Sequence, residues 1–318
     1  MGKIKHEHDK GYKNLLSHKR SFIEMLRGFV KESWVNEIDE NSLEQINKSY
    51  ILQDFEEKEA DIIYQLKLKD KSVIFYCLLE LQSSVDYQMP FRLLLYMVEI
   101  WRDFWKNAEN RKRKGFKLPS IVPIVLYNGE RRWTACRNYR DMLDGSEVFQ
   151  SRVVDFNYIL FDINRYKDEE LLKAANLVSA VFLMDKKKPQ DVILKLKSII
   201  GILKGLDEEE FGLFKGWLKY IFKPRISKDL SKKFEEILDE SVPKEVEGMV
   251  SNLAAAFDKM IEKAEVKGME KGIEKGIEKG IEKAAKNLIA MGMDTHKIIE
   301  ATGLSEKRIN ELRNINQN

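Results

Sequence analysis

Residues 72–82 form a nearly continuous apolar run, SVIFYCLLELQ, and this run constrains the fold more than any other segment. A strand of this composition is typical of a central position in a sheet that is covered on both faces. Helices packed on both faces of such a sheet give an α/β architecture. Glu80 lies near the end of the run, where a carboxylate is costly to bury unless it is paired or holds a cation.

Three further segments predict strands of the same sheet. Residues 60–68 alternate between two faces, residues 121–127 are apolar, and residues 153–163 are again largely apolar. A helix from Pro90 to Asn107 separates two of these strands and is apolar around most of its circumference, so we expect it to be buried. If the strands on either side of it are parallel, the crossover should be right-handed.

The sequence changes character along its length and suggests four regions. Residues 1–165 predict a mixed α/β sheet domain, and residues 166–256 predict a helical domain because they lack strand patterns. A GIEK repeat makes residues 257–284 a linker or a marginal helix. Residues 285–318 predict a small helical tail that looks like a helix-turn-helix, although a helical hairpin used for packing or dimerisation is an equally open interpretation.

The repeat has a period of four residues, whereas an α-helix turns once in 3.6 residues. Its apolar stripe of Met269, Ile273, Ile277 and Ile281 therefore drifts around the helix, and each repeated glycine costs about 1 kcal/mol relative to alanine. The segment suits either a flexible connector or a helix that is stabilised by self-association. A homo-oligomer formed through the repeat and the tail follows from the second interpretation.

Asp61 and Glu80 are candidate ligands for a divalent metal. Mg²⁺ prefers oxygen ligands and commonly uses one or two carboxylates. A four-residue turn at 69–72 would pair Leu68 with Val73 and set Asp61 opposite Glu80, with Gln82 on the same face as Glu80. A three-residue turn would split the two carboxylates. They could also be only polar groups at strand ends.

Composition gives weaker constraints. Charged residues make up 34% of the chain but nearly cancel to a net charge of +3, so binding to nucleic acid would have to come from local patches. No apolar run approaches the ~20 residues that span a membrane, and the polar N-terminus lacks a signal-peptide core. The two cysteines fit a reducing cytosol and offer no zinc ligand set, so we expect a cytoplasmic protein without a membrane partner.

Several segments closely resemble the Rpn family of recombination-promoting nucleases, which is also described as transposase-like. They are HDKGYKNLL, ADIIYQLKL, LLELQSSVDYQMPFRLLLYMVEIW and IVPIVLYNGE, and they cover about residues 6–165. The resemblance implies a mixed-sheet PD-(D/E)XK restriction-endonuclease-like core with a helical C-terminal extension. It also implies that Asp61 and Glu80 bind Mg²⁺ or Mn²⁺, with the carbonyl of Leu81 as a further ligand. Gln82 takes the lysine position of that motif, where it can orient a water but adds no positive charge.

Other residues are candidates for supporting roles. His8, Asp9 and Lys13 resemble the opening motif of the family, although Asp9 could simply cap the first helix. Glu24 could supply another acid to the metal or be merely solvated. Arg92 could reach a phosphate, pair with Glu80 or form a structural ion pair.

Basic residues on loops and in the tail are candidate DNA contacts, although such residues are more often simply solvated. They are Arg111, Lys112, Arg113, Lys114, Arg131, Arg132, Lys307 and Arg308. The favoured hypothesis is a Mg²⁺-dependent DNA endonuclease that is linked to recombination or mobile elements. The alternatives are a DNA-binding or assembly protein with little cleavage activity and an RNA-directed nuclease.

Overall fold

The computed structural model describes residues 10–46, 62–68, 71–80, 85–109, 111–112, 114–186, 192–223, 226 and 228–315. The chain divides into two compact units, Met1–Ala254 and Ala255–Asn318. None of the helices within these described ranges is both long and apolar enough to cross a lipid bilayer.

The first unit is built on a sheet whose five described strands follow chain order, β1-β2-β3-β4-β5. The strands are β1 Glu44–Gln45, β2 Ile62–Leu68, β3 Lys71–Glu80, β4 Ser120–Tyr127 and β5 Ile159–Asp162. The pairs β1/β2 and β2/β3 are antiparallel, whereas β3/β4 and β4/β5 are parallel. This arrangement confirms the predicted mixed α/β sheet.

The strand predicted at 153–163 is too long. Only Ile159–Asp162 joins the sheet, and Asn157 makes an isolated antiparallel bridge with Asn138 instead. Val154 is exposed, so the apolar residues before β5 do not have the burial that a central strand requires.

Helices account for most of the remaining described chain. They are α1 (10–16), α2 (Lys19–Phe29), α3 (Met89–Asn107), α4 (Ser146–Phe149), α5 (Asp168–Ala174), α6 (Leu177–Asp185), α7 (Val192–Ser198), α8 (Ile200–Gly205), α9 (Glu208–Phe222), α10 (Lys228–Glu240), α11 (Val246–Ala290), α12 (Thr295–Thr302) and α13 (Glu306–Ile315). Short 3₁₀ turns lie at Ser33–Glu37, Glu40–Ser42, Tyr139–Met142, Gln150–Arg152, Ile163–Arg165 and Pro243–Glu245.

Helices cover both faces of the sheet, as the apolar run of β3 requires. The helix α3 packs over the face that carries Ile63, Ile74 and Val125. On the other face, Phe22 of α2 lies 4.5 Å from the Tyr64 ring and 6.0 Å from the Phe75 ring, measured between ring centroids. The even- and odd-numbered residues of β3 therefore belong to different layers.

The helical part of the first unit is attached through α6, which is apolar and buried along its length. It packs against α2, α5 and α9. Asn176 caps α6 by accepting a hydrogen bond from the backbone of Ser179 at 2.8 Å, and Asp207 caps α9 by accepting from Glu210 at 2.9 Å. These caps satisfy backbone donors that a buried helix end would otherwise leave without partners.

The second unit contains most of α11 together with α12 and α13. The helix α11 is continuous through the GIEK repeat, and Met269, Ile273 and Ile277 on it are 57–66% exposed. Beyond the repeat, Ala285, Ile298, Ile309 and Leu312 form a small buried core. This three-helix arrangement places α12 and α13 on either side of a turn at Gly303, which has a φ of +69°.

Candidate functional site

The parallel strands end in a row of three residues at one edge of the sheet. Glu80, the last residue of β3, is paired in register with Tyr127 of β4, and Tyr127 is paired with Asp162 of β5. Neighbouring strands lie ~4.8 Å apart, so two acidic residues flank a tyrosine within the width of three strands. This edge is where α/β sheets commonly bind ligands.

The register of the β2/β3 hairpin differs from the prediction. Leu68 pairs with Lys71, not with Val73, so only two residues separate the paired ends. Two-residue connections suit the natural twist of antiparallel strands. The observed register is shifted by two residues from the predicted register. Odd-numbered residues of β2 therefore still oppose even-numbered residues of β3, as Ile63 opposes Tyr76.

Most of the predicted metal site falls outside the described residues. Asp61, Leu81 and Gln82 lie there, and Glu80 is described only by its place in β3. Among the side chains that the structure does describe, no group of three or more histidine, cysteine or acidic residues is arranged to hold a metal ion. The metal ligands therefore remain a prediction.

Asp162 is a buried acid that the sequence analysis missed. Its side chain is 9% exposed, and Oδ2 accepts a hydrogen bond from the Trp133 backbone N–H at 3.2 Å. Oδ1 has no hydrogen-bond partner among the described residues. Burial raises the pKa of Asp162, while the Trp133 N–H and the nearby guanidinium of Arg165 act in the opposite direction. The signal was available, because YILFDI ends an apolar run with an acid just as YCLLE does.

Comparison with known proteins decides the family. Residues 6–214 match the model of a family described as "Putative transposase, YhgA-like", which is more than half of the chain. The chain belongs to this family.

Curated relatives of this YhgA-like protein include recombination-promoting nucleases of Escherichia coli, so the predicted resemblance is confirmed. RpnC of strain K12 is 22% identical over 197 residues, which cover 62% of this chain and 63% of RpnC. RpnD of O157:H7 is 20% identical over 201 residues, which cover 62% of this chain and 74% of RpnD. The chain thus spans less than two thirds of the length of RpnC.

A further relative is named as an inactive protein. RpnE of E. coli K12, called an inactive recombination-promoting nuclease-like protein, is 23% identical over 146 residues, covering 45% of this chain and 46% of RpnE. No solved structure matches the chain. The relatives of this chain therefore include proteins named as nucleases and a protein named as inactive.

The opening segment of this YhgA-like protein is anchored at the end of β4. Tyr12 donates a hydrogen bond from its hydroxyl group to Asp185 Oδ2 at 2.8 Å, and Asn128 Nδ2 donates to the same oxygen. All three residues are buried, and burial raises the pKa of Tyr12 well above its ordinary value. Of the predicted opening residues, Lys13 lies half-buried on α1, whereas His8 and Asp9 lie outside the described residues.

Glu24 lies on α2, which covers the opposite sheet face from α3. Its carboxylate is 3.4 Å from Arg20 and faces Glu210 of α9. Burial raises the pKa of Glu24 to about 7, with a further contribution from Glu210, while Arg20 opposes the increase. Tyr127, in the row at the strand ends, belongs to the core beneath α3 and so lies on the other face of the sheet from Glu24. The interaction of Glu24 with Glu210 links α2 to α9 in the helical part of the unit.

Three of the predicted cations have identifiable partners. Arg92 is buried and forms an ion pair with Asp86. Arg111 donates to the carbonyl of Lys106 at 2.6 Å, and its guanidinium carbon lies 5.2 Å from the centroid of the Trp105 ring. In the second unit, Arg308 forms ion pairs with Glu282 and with Glu311.

The last predicted DNA contacts are exposed where they are described. Lys112 and Lys114 lie in the turn after α3, Arg131 and Arg132 follow β4, and Lys307 is on α13. Arg113 lies outside the described residues.

Proposed function

We propose that this protein is a metal-dependent DNA endonuclease with a PD-(D/E)XK core and a role in recombination or the movement of mobile elements. The family match over residues 6–214 carries the proposal, and the names of RpnC and RpnD support a nuclease. The pairing of β2 with β3, which ends at Glu80, supports it further, because the motif places its acids on two adjacent strands.

Asp61, Glu80 and the carbonyl of Leu81 would hold Mg²⁺ or Mn²⁺, since all three offer the oxygen donors that these ions prefer. Such an ion supplies charge stabilisation at the phosphate and lowers the pKa of a bound water. The register parity of β2 and β3 suits a shared site, because odd-numbered residues of β2 oppose even-numbered residues of β3. Gln82 would orient the attacking water through its amide.

A plasmid-nicking assay tests this site. We expect nicking with Mg²⁺, and we expect EDTA, Asp61→Ala and Glu80→Gln each to abolish it. Glu44→Gln is the matched control, because Glu44 is an exposed acid of β1 in the same sheet. Nicking that persists in EDTA or in either site variant would refute the assignment of the metal site. Cleavage of RNA but not DNA would instead indicate an RNA-directed nuclease.

A second candidate function is a DNA-binding or assembly protein that retains the fold with little cleavage. It is favoured by the name of RpnE and by Gln82, which lacks the positive charge of a lysine. A protein that retards DNA in a gel but does not nick it with Mg²⁺ or Mn²⁺ would support this alternative.

A further inference from the structure

Three surface segments follow the carboxyl ends of the three parallel strands. Tyr87 lies after β3, the loop 129–137 follows β4, and Arg165 follows β5. The carboxyl ends of parallel strands share one edge of a sheet, so these segments surround the row that contains Glu80 and Asp162.

The loop 129–137 has no repetitive secondary structure, yet its backbone is held at many points. Donors from the surrounding strands and turns reach five of its carbonyl groups. These are Gly129 (Asn164 Nδ2, 3.0 Å), Glu130 (Arg165 Nη2, 2.7 Å), Arg131 (Tyr127 hydroxyl, 3.0 Å), Cys136 (Tyr158 hydroxyl, 2.9 Å) and Arg137 (Tyr158 N–H, 3.4 Å). The loop is therefore fixed before any ligand arrives.

Two buried side chains lock the interior of the loop. Trp133 donates from its backbone to Asp162 Oδ2 at 3.2 Å and from its indole to the Tyr158 hydroxyl at 2.8 Å. Gly129 allows the Tyr127 side chain to pass, because a Cβ at this position would lie 1.8 Å from the tyrosine hydroxyl oxygen. A fixed loop loses little conformational entropy when it binds, which favours affinity.

Most of the charged side chains that project from this fixed frame are positive, although Glu130 is also exposed. Arg132 and Arg137 are exposed, and the Arg165 side chain is 45% exposed. Arg165 Nε lies 3.8 Å from Asp162 Oδ2, and Arg132 and Arg137 belong to the loop that Asp162 holds through the Trp133 backbone. The loop and Arg165 together carry four guanidinium groups, against the carboxylates of Glu130 and Asp162, and this positive excess suits phosphate oxygens.

An exposed aromatic ring stands beside these arginines. Tyr87 is 65% exposed, and its hydroxyl group hydrogen-bonds the Thr134 hydroxyl of the loop at 3.0 Å. This hydrogen bond holds the hydroxyl end of the Tyr87 ring against the loop. Aromatic rings interleaved with arginines are typical of surfaces that bind single-stranded nucleic acid, because a base can stack on the ring only when it is unpaired.

We propose that this edge binds an unpaired DNA strand, with Arg132, Arg137 and Arg165 contacting phosphates and Tyr87 stacking on a base. The inference rests on the proposed nuclease function and names its substrate class, single-stranded or locally unpaired DNA. Asp162 acts as a positioning residue, because it holds the loop that presents the arginines.

Fluorescence anisotropy tests this proposal by measuring the affinity of the protein for a labelled oligonucleotide, either single-stranded or annealed to its complement as a duplex. The measurements are made in EDTA so that the DNA is not cleaved. Arg132→Ala/Arg137→Ala should weaken single-strand binding on the order of tenfold and lower the salt slope by about 0.7 for each lost contact. Lys232→Ala/Lys233→Ala, which removes equal charge from exposed positions of α10, is the control. Equal affinities of the two double variants would overturn the phosphate contacts, and so would failure of the unmodified protein to bind.

Substitutions of Tyr87 test the stacking contact. Tyr87→Ala should weaken single-strand binding on the order of tenfold and leave duplex binding nearly unchanged. Tyr87→Phe keeps the ring and should retain most of the affinity. An unchanged ratio of single-strand to duplex affinity in Tyr87→Ala would refute the stacking.

Parallel nicking assays separate this inference from the proposed function. Asp61→Ala should bind the single strand normally but fail to nick plasmid. Nicking by Asp61→Ala would refute the metal-site assignment and leave the arginine contacts standing. Normal binding by the arginine variant would refute only the arginine contacts.

Discussion

Glu24→Gln should make the protein more stable at alkaline pH and should scarcely change its stability at acidic pH. In the folded protein, burial and the neighbouring Glu210 raise the pKa of Glu24 from 4.5 to about 7, against the opposing charge of Arg20. Asp207, which also pairs with Arg20, completes the charged set between α2 and α9. Glutamine keeps the shape and hydrogen-bonding capacity of the side chain but cannot ionise.

The direction follows from proton binding. Between its unfolded and folded pKa values, Glu24 holds a proton in the folded state that the unfolded chain has released. Its contribution to stability is thus fully present below about pH 4.5 and is lost as the pH rises through about 7. The full shift corresponds to roughly 3 kcal/mol. Because the Glu24 side chain is 21% exposed and Arg20 is 61% exposed, solvent screening reduces our expectation to about 1–2 kcal/mol.

Urea unfolding at about pH 4 and about pH 8.5, followed by circular dichroism, measures this effect. Other titrating groups are shared by both proteins, so the difference between the variant and the original chain isolates Glu24. Glu109→Gln, which replaces an exposed acid, is the control and should leave the free energy of unfolding unchanged at both pH values. Parallel pH profiles for Glu24→Gln and the original chain would show that Glu24 does not retain a proton at neutral pH.

Three further predictions concern packing and assembly. Tyr12→Phe removes the hydroxyl that donates to Asp185, so urea unfolding should show a loss of about 1–2 kcal/mol, and an unchanged midpoint would contradict the role of this network. Ile277→Lys places a charge in the exposed stripe of α11; if the helix self-associates, sedimentation velocity should show smaller species than for the original chain, and identical profiles would argue against assembly through the repeat. Arg308→Ala breaks the ion pair with Glu282 and should lower the thermal midpoint of the second unit, and an unchanged midpoint would leave Arg308 without a structural role.

Periodicity and composition predicted individual buried elements of the fold correctly. The apolar run of β3 predicted a central strand covered on both faces, and helix α3 was predicted within one residue of its observed start. Pro90 lies in the first turn of α3, where proline is well tolerated. These elements follow from periodicity and composition because burial acts on each one as a whole.

Pairing between elements was harder to predict. The register of Leu68 depended on the length of the hairpin connection, and the sequence allowed several lengths. The β5 prediction included exposed residues such as Val154, because an apolar run does not reveal where sheet pairing begins. Both errors concern the position of a partner strand, which local sequence does not encode.

The sequence by itself determined the mixed α/β class and the family, because these depend on residue types and their order, whereas the carboxylates proposed for a metal remain a prediction. Only the tertiary structure decided which distant groups meet. It joined Tyr12 to Asp185, set Glu24 against Glu210, and brought Arg165 and the backbone of Trp133 to Asp162. Contacts of this kind depend on how helices and strands pack in space, and a buried acid acquires its character only from the neighbours that packing supplies.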